Sequence, residues 1–230
     1  MTIALITGAN KGIGYEVARG LAAEGVTVLA AARDQERGAR AAAEIGARFV
    51  QLDVTSAESI AAAAKQVAAD YGTLDVLVNN AGIAQGGWVP SEVEMEPLRA
   101  VYETNVFGVV AVTNAFIPLL RASPAPRIVN VSSEVGSLSK AIDPADPLYA
   151  LTGLAYQSSK SALNMVTLCY AKELTAFKVN ACSPGYCATD LNGFSGPRTP
   201  QRGAEVVIRL ALAADGPTGT FVDEDGPIPW

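Results

Sequence analysis

The chain has no histidine and only three cysteines among its 230 residues. Without imidazole side chains, histidine-dependent catalytic triads and histidine metal sites are excluded. The cysteines Cys169, Cys182 and Cys187 are odd in number and lack the paired spacing of metal ligands. We therefore expect no bound metal. Reduced thiols in a cytoplasmic protein are the favoured interpretation of these three residues.

Positive charge is also scarce, since 17 lysines and arginines face 23 acidic residues and leave a net charge of −6. Nucleic-acid partners usually require a basic face, so the composition argues against such a partner. No run of roughly 18 uncharged apolar residues is present, and no membrane span is expected. The first strand is predicted to begin at residue 2 or 3, which leaves no room for a signal peptide.

Short apolar runs alternate with longer helical patterns along the whole chain. Half of the residues are apolar, which is enough for one sizeable core. The predicted strands are 2–7, 26–31, 48–52, 74–79, 127–132, 178–182 and 220–222. The predicted helices are 12–24, 34–45, 56–71, 97–121, 156–175 and 200–213. This alternation predicts a single-domain α/β fold over residues 1–230, a Rossmann-type doubly wound parallel sheet of about seven strands with helices on both faces.

Local turn and cap signals agree with these boundaries. Gly25, Gly46 and Gly72 stand where helices should end, as glycine does at helix C-termini. Residues 55–58 read Thr-Ser-Ala-Glu, a capping-box pattern that predicts the start of the third helix. The stretches 137–154 and 193–200 are rich in proline and glycine and are predicted to be loops.

A glycine-rich segment between the first strand and the first helix predicts a phosphate cradle. Gly8, Gly12 and Gly14 would let the backbone approach a pyrophosphate at the positive end of the helix. The spacing G-x-x-x-G-x-G differs from the common dinucleotide pattern, and glycines that merely turn the chain are the alternative. A P-loop is disfavoured, because Lys11 precedes Gly12 and no Gly-Lys-Ser/Thr follows. The predicted cradle also includes Asn10, Lys11 and Ile13.

Tyr156 and Lys160 lie four residues apart in a helical pattern. Reduction of a carbonyl by hydride creates an alkoxide, which needs a proton and a nearby hydrogen-bond donor. A tyrosine with a pKa of about 10 is a poor base for the reverse reaction at neutral pH. The lysine would lie on the same helical face, where its charge would favour the phenolate and lower the pKa of the tyrosine.

Five ordered motifs in the sequence resemble the short-chain dehydrogenase/reductase family. The resemblance covers nearly the whole chain and implies a nicotinamide-dependent oxidoreductase. Its motifs are the glycine segment from Thr7 to Gly14, Asn79-Asn80-Ala81-Gly82 with helix-borne Asn105, Val131-Ser132-Ser133, Tyr156 with Lys160, and Pro184-Gly185 followed by Thr189.

The resemblance assigns catalytic roles to four residues. Ser133 would polarise the carbonyl oxygen and Tyr156 would transfer the proton. Lys160 would also bond the nicotinamide ribose, and Asn105 would hold a water that links Lys160 to solvent. The family pattern favours Ser133 over its neighbour Ser132 as the catalytic serine.

The same resemblance implies a set of cofactor contacts. Asp53, followed by Val54, would contact the adenine edge, although Asp53 could equally cap its own loop. Asn80 would line the cofactor or only brace adjacent strands. The other implied contacts are Ala81 and Gly82 along the cofactor, Pro184 and Gly185 beside the nicotinamide ring, and Thr189 at its carboxamide.

The end of the second strand bears on the choice of nicotinamide. It reads Ala31-Ala32-Arg33-Asp34, with alanine where similar NAD enzymes have an acid. Arg33 can offer a forked contact to a 2′-phosphate, and Lys11 supplies a second cation. Together they favour NADP(H) over NAD(H). Asp34 could cap the next helix, or bind the ribose if the turn shifts by one residue.

The segment before Tyr156 departs from the common family pattern. Ser133 and Tyr156 are 23 positions apart (156 − 133), a longer gap than in many members, and the extra residues fall in 140–154. This resembles the carbonyl-reductase branch, where a longer insertion goes with monomers. Because the insertion here is shorter, both a monomer and a homo-oligomer are left open.

Aromatic side chains predict an apolar substrate pocket. Trp88, Tyr186 and Phe194, with Trp230 as a further candidate, would form its wall. We therefore expect an uncharged aldehyde, ketone or quinone to be reduced to an alcohol. The alternatives are an alcohol dehydrogenase that works in the oxidative direction and a non-catalytic NADP(H)-binding redox sensor.

Overall fold

A parallel sheet of seven strands forms the centre of the fold, seen in a computed structural model that describes residues 2–230. The strands are β1 (Ile3–Thr7), β2 (Thr27–Ala32), β3 (Arg48–Gln51), β4 (Val76–Asn79), β5 (Arg127–Val131), β6 (Lys178–Cys182) and β7 (Phe221–Val222). The helices are α1 (Gly12–Ala23), α2 (Gln35–Glu44), α3 (Ala57–Tyr71), α4 (Met95–Tyr102), α5 (Gly108–Leu120), α6 (Leu138–Ala141), α7 (Leu154–Glu173) and α8 (Pro200–Leu212).

The strand order β3-β2-β1-β4-β5-β6-β7 confirms the predicted doubly wound sheet. All six neighbouring pairs are parallel. Chain direction across the sheet reverses between β1 and β4, and in such folds ligands bind in the crevice at the carboxyl ends of the strands beside that point. The fold therefore places residues 7–14 and 79–82 together at the expected ligand crevice.

Apolar side chains cover both faces of the sheet. On one face, Leu5, Leu77 and Val179 pack with Phe116 of α5 and with residues of α3. On the opposite face, residues of α1 and α8, such as Val17 and Val207, pack on the alternate strand positions. Because β1 and β4 are covered on both faces, their sequences are nearly continuous apolar runs rather than alternations of apolar and polar residues.

Several boundaries differ from the prediction by one or two residues. Strand β4 begins at Val76 rather than residue 74, because Asp75 accepts a hydrogen bond from the backbone N–H of Ile3 (2.8 Å) and Leu74 bonds helix α5 instead. Ser56, not Thr55, caps α3 by accepting from the N–H of Ser59 at 3.2 Å. The predicted helix ends are confirmed by the left-handed φ angles at Gly25, Gly46 and Gly72.

The helix predicted over 97–121 contains a wider turn. A π-helical turn, Glu103–Phe107, joins α4 to α5 and carries Asn105. Such turns are rare and often lie at functional sites. By length and composition, the segment Met95–Leu120 is apolar enough to cross a membrane. This is weak evidence, because half of its most apolar window is buried and core helices pass the same test.

The loop after Ser133 is held by residues far away in the chain. Ser137 donates to the carbonyl of Pro229 (2.6 Å), and Ser139 donates to the carbonyl of Trp230 from its hydroxyl (2.7 Å) and its N–H (3.1 Å). Trp230 itself stacks on Phe221, with ring centroids 5.4 Å apart. Its ring packs against a small cluster that contains Phe221 and Ile228, and contact between Trp230 and a substrate stays a prediction.

Candidate active site

The glycine segment has the backbone geometry of a phosphate cradle. Gly8 and Gly12 have left-handed φ angles of +67° and +58°. A Cβ at Gly14 would lie 2.3 Å from the side-chain nitrogen of Asn80 and 2.5 Å from the Gly8 carbonyl. Glycines that only turned the chain would not need this close approach within α1. The segment therefore fits a dinucleotide, whose pyrophosphate would meet the N-terminus of α1.

Asn80 ties the segment after β4 to the glycine segment after β1. Its side chain donates to the carbonyls of Thr7 (2.8 Å) and Gly8 (3.3 Å), and the Thr7 hydroxyl accepts from the backbone N–H groups of Asn80 (2.9 Å) and Ala81 (3.0 Å). Of the two roles considered for Asn80, the structure shows the bracing one. Gly82, the next glycine, lies over Asn105 and Lys160: a Cβ there would be 3.3 Å from Asn105 Oδ1 and 3.7 Å from Lys160 Nζ.

Asp53 stands at the end of β3 and caps its own loop. One carboxylate oxygen accepts from both the N–H (2.9 Å) and the hydroxyl (2.7 Å) of Thr55. The N–H of Asp53 donates to Ser59 (2.9 Å), and Val54 packs on the edge of the core. The capping alternative is therefore present in the structure, while contact between Asp53 or Val54 and an adenine ring stays a prediction.

Two cations were predicted to recognise a 2′-phosphate, and the structure places them differently. Arg33 is exposed after β2. Asp34 caps α2 by accepting from the N–H of Arg37 at 2.9 Å, which resolves its role in favour of the cap. Lys11 forms an ion pair with Asp190 at 3.1 Å, which the sequence did not predict.

Tyr156 and Lys160 lie one turn apart on α7, which begins two residues earlier than predicted. The ammonium nitrogen of Lys160 is 5.5 Å from the centroid of the tyrosine ring and donates to the carbonyl of Val131 at 2.9 Å. Lys160 is buried, whereas Tyr156 is half-buried. The hydrogen bond to Val131 fixes the lysine between the catalytic helix and the end of β5.

Burial is the main cause of the pKa shifts of both Tyr156 and Lys160. Loss of hydration raises the pKa of Tyr156 to about 12, and the hydrogen bond from Ser133 only partly opposes this. Burial lowers the pKa of Lys160 to about 8, with the neighbouring Cys182 opposing. The pKa of Tyr156 is therefore raised in this structure, and a lowering by Lys160 stays a prediction. A phenol with this pKa is protonated at neutral pH and can act as a proton donor.

Adjacent serines have separate tasks. The Ser132 hydroxyl is buried and donates to the side chain of Asn164 at 2.6 Å. The Ser133 hydroxyl faces the phenol of Tyr156. Because Ser132 is already engaged inside the protein, the structure favours Ser133 as the serine available to a substrate.

Asn105 holds the floor of the crevice with its amide. The side-chain oxygen accepts from the N–H of Ile83 (2.9 Å), and the side-chain nitrogen donates to the Ile83 carbonyl (2.9 Å) and to Ser159 (3.1 Å). These three bonds tie the segment after β4 to the catalytic helix. A water held by Asn105 for Lys160 stays a prediction.

The loop after β6 lies across the other side of the crevice. Gly185 has a φ of +76°, and a Cβ there would be 2.5 Å from the guanidinium of Arg198. Thr189 lies against the glycine segment, with its methyl carbon 3.5 Å from the position of a Cβ on Gly12. The structure thus brings Pro184, Gly185 and Thr189 to the predicted cofactor side.

Sequence reasoning missed Ser183 as a link between two active-site segments. Its hydroxyl oxygen accepts from the N–H of Glu134 (3.1 Å), next to Ser133, and from the N–H of Gly185 (3.3 Å). Its position immediately before Pro184-Gly185 was the available signal. The side chain is buried, which fits a positioning role.

Three aromatic residues predicted to bind substrate are exposed at the outer side of the site. Trp88 lies over Gly153, where a Cβ would be 2.8 Å from its ring, and so stands beside the start of α7. Tyr186 and Phe194 lie on the loop after β6, where the Tyr186 hydroxyl bonds Ser195 at 2.6 Å. The exposed fractions of Trp88, Tyr186 and Phe194 are 64%, 56% and 65%. Contact with a substrate stays a prediction for all three.

The fold and this arrangement of glycines, serine, tyrosine and lysine define an oxidoreductase of the nicotinamide type. A family model described as short chain dehydrogenase matches residues 2–199. The chain therefore belongs to the short-chain dehydrogenase/reductase family, as its motifs suggested. Within residues 2–230, no group of three His, Cys, Asp or Glu side chains is placed to hold a metal.

Individual relatives narrow the comparison to one branch. A short-chain dehydrogenase of Penicillium roqueforti is 38% identical over 98% of this chain and 95% of its own length. NADPH carbonyl reductase 1 of Rattus norvegicus is 32% identical over 99% of this chain and 98% of its own length. The structure of NADPH-bound carbonyl reductase from chicken fatty liver matches with a TM-score of 0.88 at 27% identity and covers all of both chains. Carbonyl-reductase-like resemblance is thus confirmed.

Proposed function

We propose that this protein reduces an uncharged, apolar carbonyl compound to an alcohol at the expense of NADPH. The observation that carries the proposal is Tyr156, a protonated phenol held at the ligand crevice between Ser133 and the charged end of Lys160. Carbonyl reductases among the relatives support the same reaction class. Residues 1–230 would then act as one NADP(H)-binding domain.

The nicotinamide, when bound, supplies the hydride. The other steps fall to the chain itself. Ser133 would donate a hydrogen bond to the substrate oxygen, and Tyr156 would give its proton to the same oxygen as negative charge develops there. Lys160, fixed by Val131, places a positive charge beside the tyrosine ring and stabilises the phenolate that remains. The glycine segment, Ala81 and Gly82 would hold the cofactor against this group.

Two alanine substitutions test which of the adjacent serines acts on the substrate. Ser133→Ala is expected to lower kcat by about 10²-fold, because one donor to the developing oxyanion is lost. Ser132→Ala is the matched control. It removes a buried bond to Asn164, so it should lower the melting temperature, while kcat should fall much less than in Ser133→Ala. Steady-state kinetics and thermal melts of both variants separate the roles. A larger kcat loss in Ser132→Ala would reverse the assignment.

We propose a preference for NADP(H) because Arg33 is exposed and because the Asp34 side chain already bonds the N-terminus of α2. The Asp34 carboxylate caps α2 and forms an ion pair with Arg37 at 3.4 Å, so a ribose 2′-hydroxyl would have to compete with these partners. Arg33, immediately before it, can fork onto a 2′-phosphate. Two of the matching structures contain bound NADPH or NADP.

Arg33→Ala is expected to weaken NADPH binding by about tenfold or more, in line with the loss of a charge-assisted bond, while NADH binding changes little. Arg40→Ala, which removes an exposed cation from the same helix region, serves as the control for net charge. Fluorescence titration of both nucleotides measures the ratio. Equal losses for NADPH and NADH would mean that Arg33 does not meet the 2′-phosphate.

The substrate side supports a small uncharged molecule. Trp88, Tyr186 and Phe194 would contribute apolar surface around the reacting carbonyl. An aldehyde, a ketone or a quinone fits this surface better than a phosphorylated or CoA-linked compound. We place this activity in the cytoplasm, where the reduced cysteines Cys169, Cys182 and Cys187 would be stable.

The proposal is tested by NADPH consumption with purified protein against aldehydes, ketones and quinones, with NADH in parallel. Turnover with NADPH on any apolar carbonyl would support it, and the reverse assay with alcohols and NADP⁺ would report the oxidative direction. If no compound is turned over although NADPH still binds, a non-catalytic sensor would be favoured. The presence of both Tyr156 and Lys160 in working positions favours the enzyme.

A further inference from the structure

The ion pair between Lys11 and Asp190 spans the predicted cofactor crevice. Lys11 belongs to the glycine segment, and Asp190 follows Thr189 on the loop after β6. Their charged atoms are 3.1 Å apart, and both side chains are about half exposed. Among residues 2–230, no other ion pair connects these two segments.

Asp190 is held in place by the internal structure of its loop. The loop is closed at its base by Tyr186 and Arg198, where the Arg198 N–H donates to the Tyr186 carbonyl (3.2 Å). At the other end, Asn192 and Thr189 exchange capping bonds around the short turn Asp190–Asn192. The turn therefore fixes the position of the Asp190 carboxylate, and the long side chain of Lys11 is the partner that can move.

Lys11 belongs to the glycine segment that is predicted to hold the phosphates of a dinucleotide. Lys11 directly precedes Gly12, whose segment meets the N-terminus of α1. Phosphate and Asp190 are both anions, and the Lys11 ammonium would have to leave Asp190 to give its full charge to a phosphate.

We propose that Asp190 competes with a cofactor phosphate for Lys11. Binding of the cofactor then exchanges the partner of Lys11 and releases the tether on the loop that carries Tyr186 and Phe194. The shared chemistry is a phosphate monoester or diphosphate, either the 2′-phosphate or the pyrophosphate of the nucleotide. This inference rests on the proposed function, because it requires NADP(H) to bind along the glycine segment.

A double-mutant cycle on cofactor affinity tests the exchange. Dissociation constants for NADPH and NADH are measured by fluorescence titration for the unmodified protein, Asp190→Asn, Lys11→Gln and the double variant. Asp190→Asn is expected to tighten NADPH binding about two- to fivefold, the range expected for an exposed ion pair. In the Lys11→Gln background, the same change at Asp190 should have almost no effect.

The two nucleotides identify the competing phosphate. A gain confined to NADPH assigns Lys11 to the 2′-phosphate, and an equal gain for NADH assigns it to the pyrophosphate; both support the exchange. Asp70→Asn, which removes an exposed acid of α3, controls for net charge and should leave both constants unchanged. Raising the salt concentration should shrink the gain.

Three results would count against the inference. Unchanged affinity in Asp190→Asn would show that the pair does not compete with the cofactor. A gain that persists in the Lys11→Gln background would show that Asp190 acts by repulsion alone. If the unmodified protein binds neither nucleotide, the proposed function fails and the inference fails with it.

Discussion

Tyr156→Phe is expected to lower turnover by about 10²- to 10⁴-fold, the range that a general acid contributes. Phenylalanine keeps the ring beside Lys160 and removes only the proton donor. Cofactor affinity should therefore stay within about twofold, because the ring and the lysine that would bond the ribose are retained. Steady-state kinetics on an apolar carbonyl and fluorescence titration of NADPH measure the two effects.

Tyr149→Phe is the matched control for this prediction. It makes the same chemical change at an exposed tyrosine in the segment before α7 and should leave turnover unaltered. Residual activity above a tenth in Tyr156→Phe would rule out its role as the acid. A large fall in melting temperature would instead indicate that the hydroxyl has a structural task.

The second large effect is expected at Lys160. Lys160→Ala should lower kcat by about 10²-fold or more and should also weaken cofactor binding, because one side chain serves the tyrosine and would bond the ribose. It removes the buried bond to Val131, so thermal melts are needed to show that the variant is folded. Lys172→Ala, at an exposed lysine on the same helix, should change neither kcat nor the affinity for the cofactor. Loss of turnover without any loss of cofactor affinity would contradict the double role.

The pKa of Lys160 also predicts a pH profile. Because burial lowers this pKa to about 8, the ammonium charge is present below pH 8 and is lost as the pH rises through that value. Tyr156, with a pKa of about 12, stays protonated over the same range. The rate of carbonyl reduction should thus be nearly constant between about pH 6 and 7, fall to about half at pH 8 and decline further above it. In Lys160→Arg, whose charge persists, any remaining activity should lack this fall.

Much of the architecture could be predicted from the sequence, because parallel strands buried on both faces and the helices between them have distinct patterns. The glycine segment, Ser133 and Tyr156 with Lys160 were also found, since each lies at a fixed place relative to a strand or helix. Boundary errors came from competition between neighbouring groups. Ser56 caps α3 because Thr55 is drawn to Asp53.

What sequence reasoning missed depends on contacts between distant residues. The burial shifts of Tyr156 and Lys160 could not be predicted, because spacing along a helix reveals the neighbouring charge but not the loss of water around both groups. Lys11 and Asp190 are 179 positions apart (190 − 11), and neither carries a local signal for the other. Ser183 was passed over because its two bonds are made to backbone N–H groups, which leave no trace in the composition.

The bonds from Ser137 and Ser139 to residues 229 and 230 bear on the order in which the molecule is assembled. They join parts of the chain 92 and 91 positions apart, whereas β1, β2 and β4, which build the nucleotide side of the crevice, lie within the first 79 residues. Closing a long loop costs entropy before its contacts repay it. During synthesis, the strands that carry the glycine segment therefore emerge long before residues 229 and 230. We expect the loop after Ser133 to become fixed only once those last residues are in place.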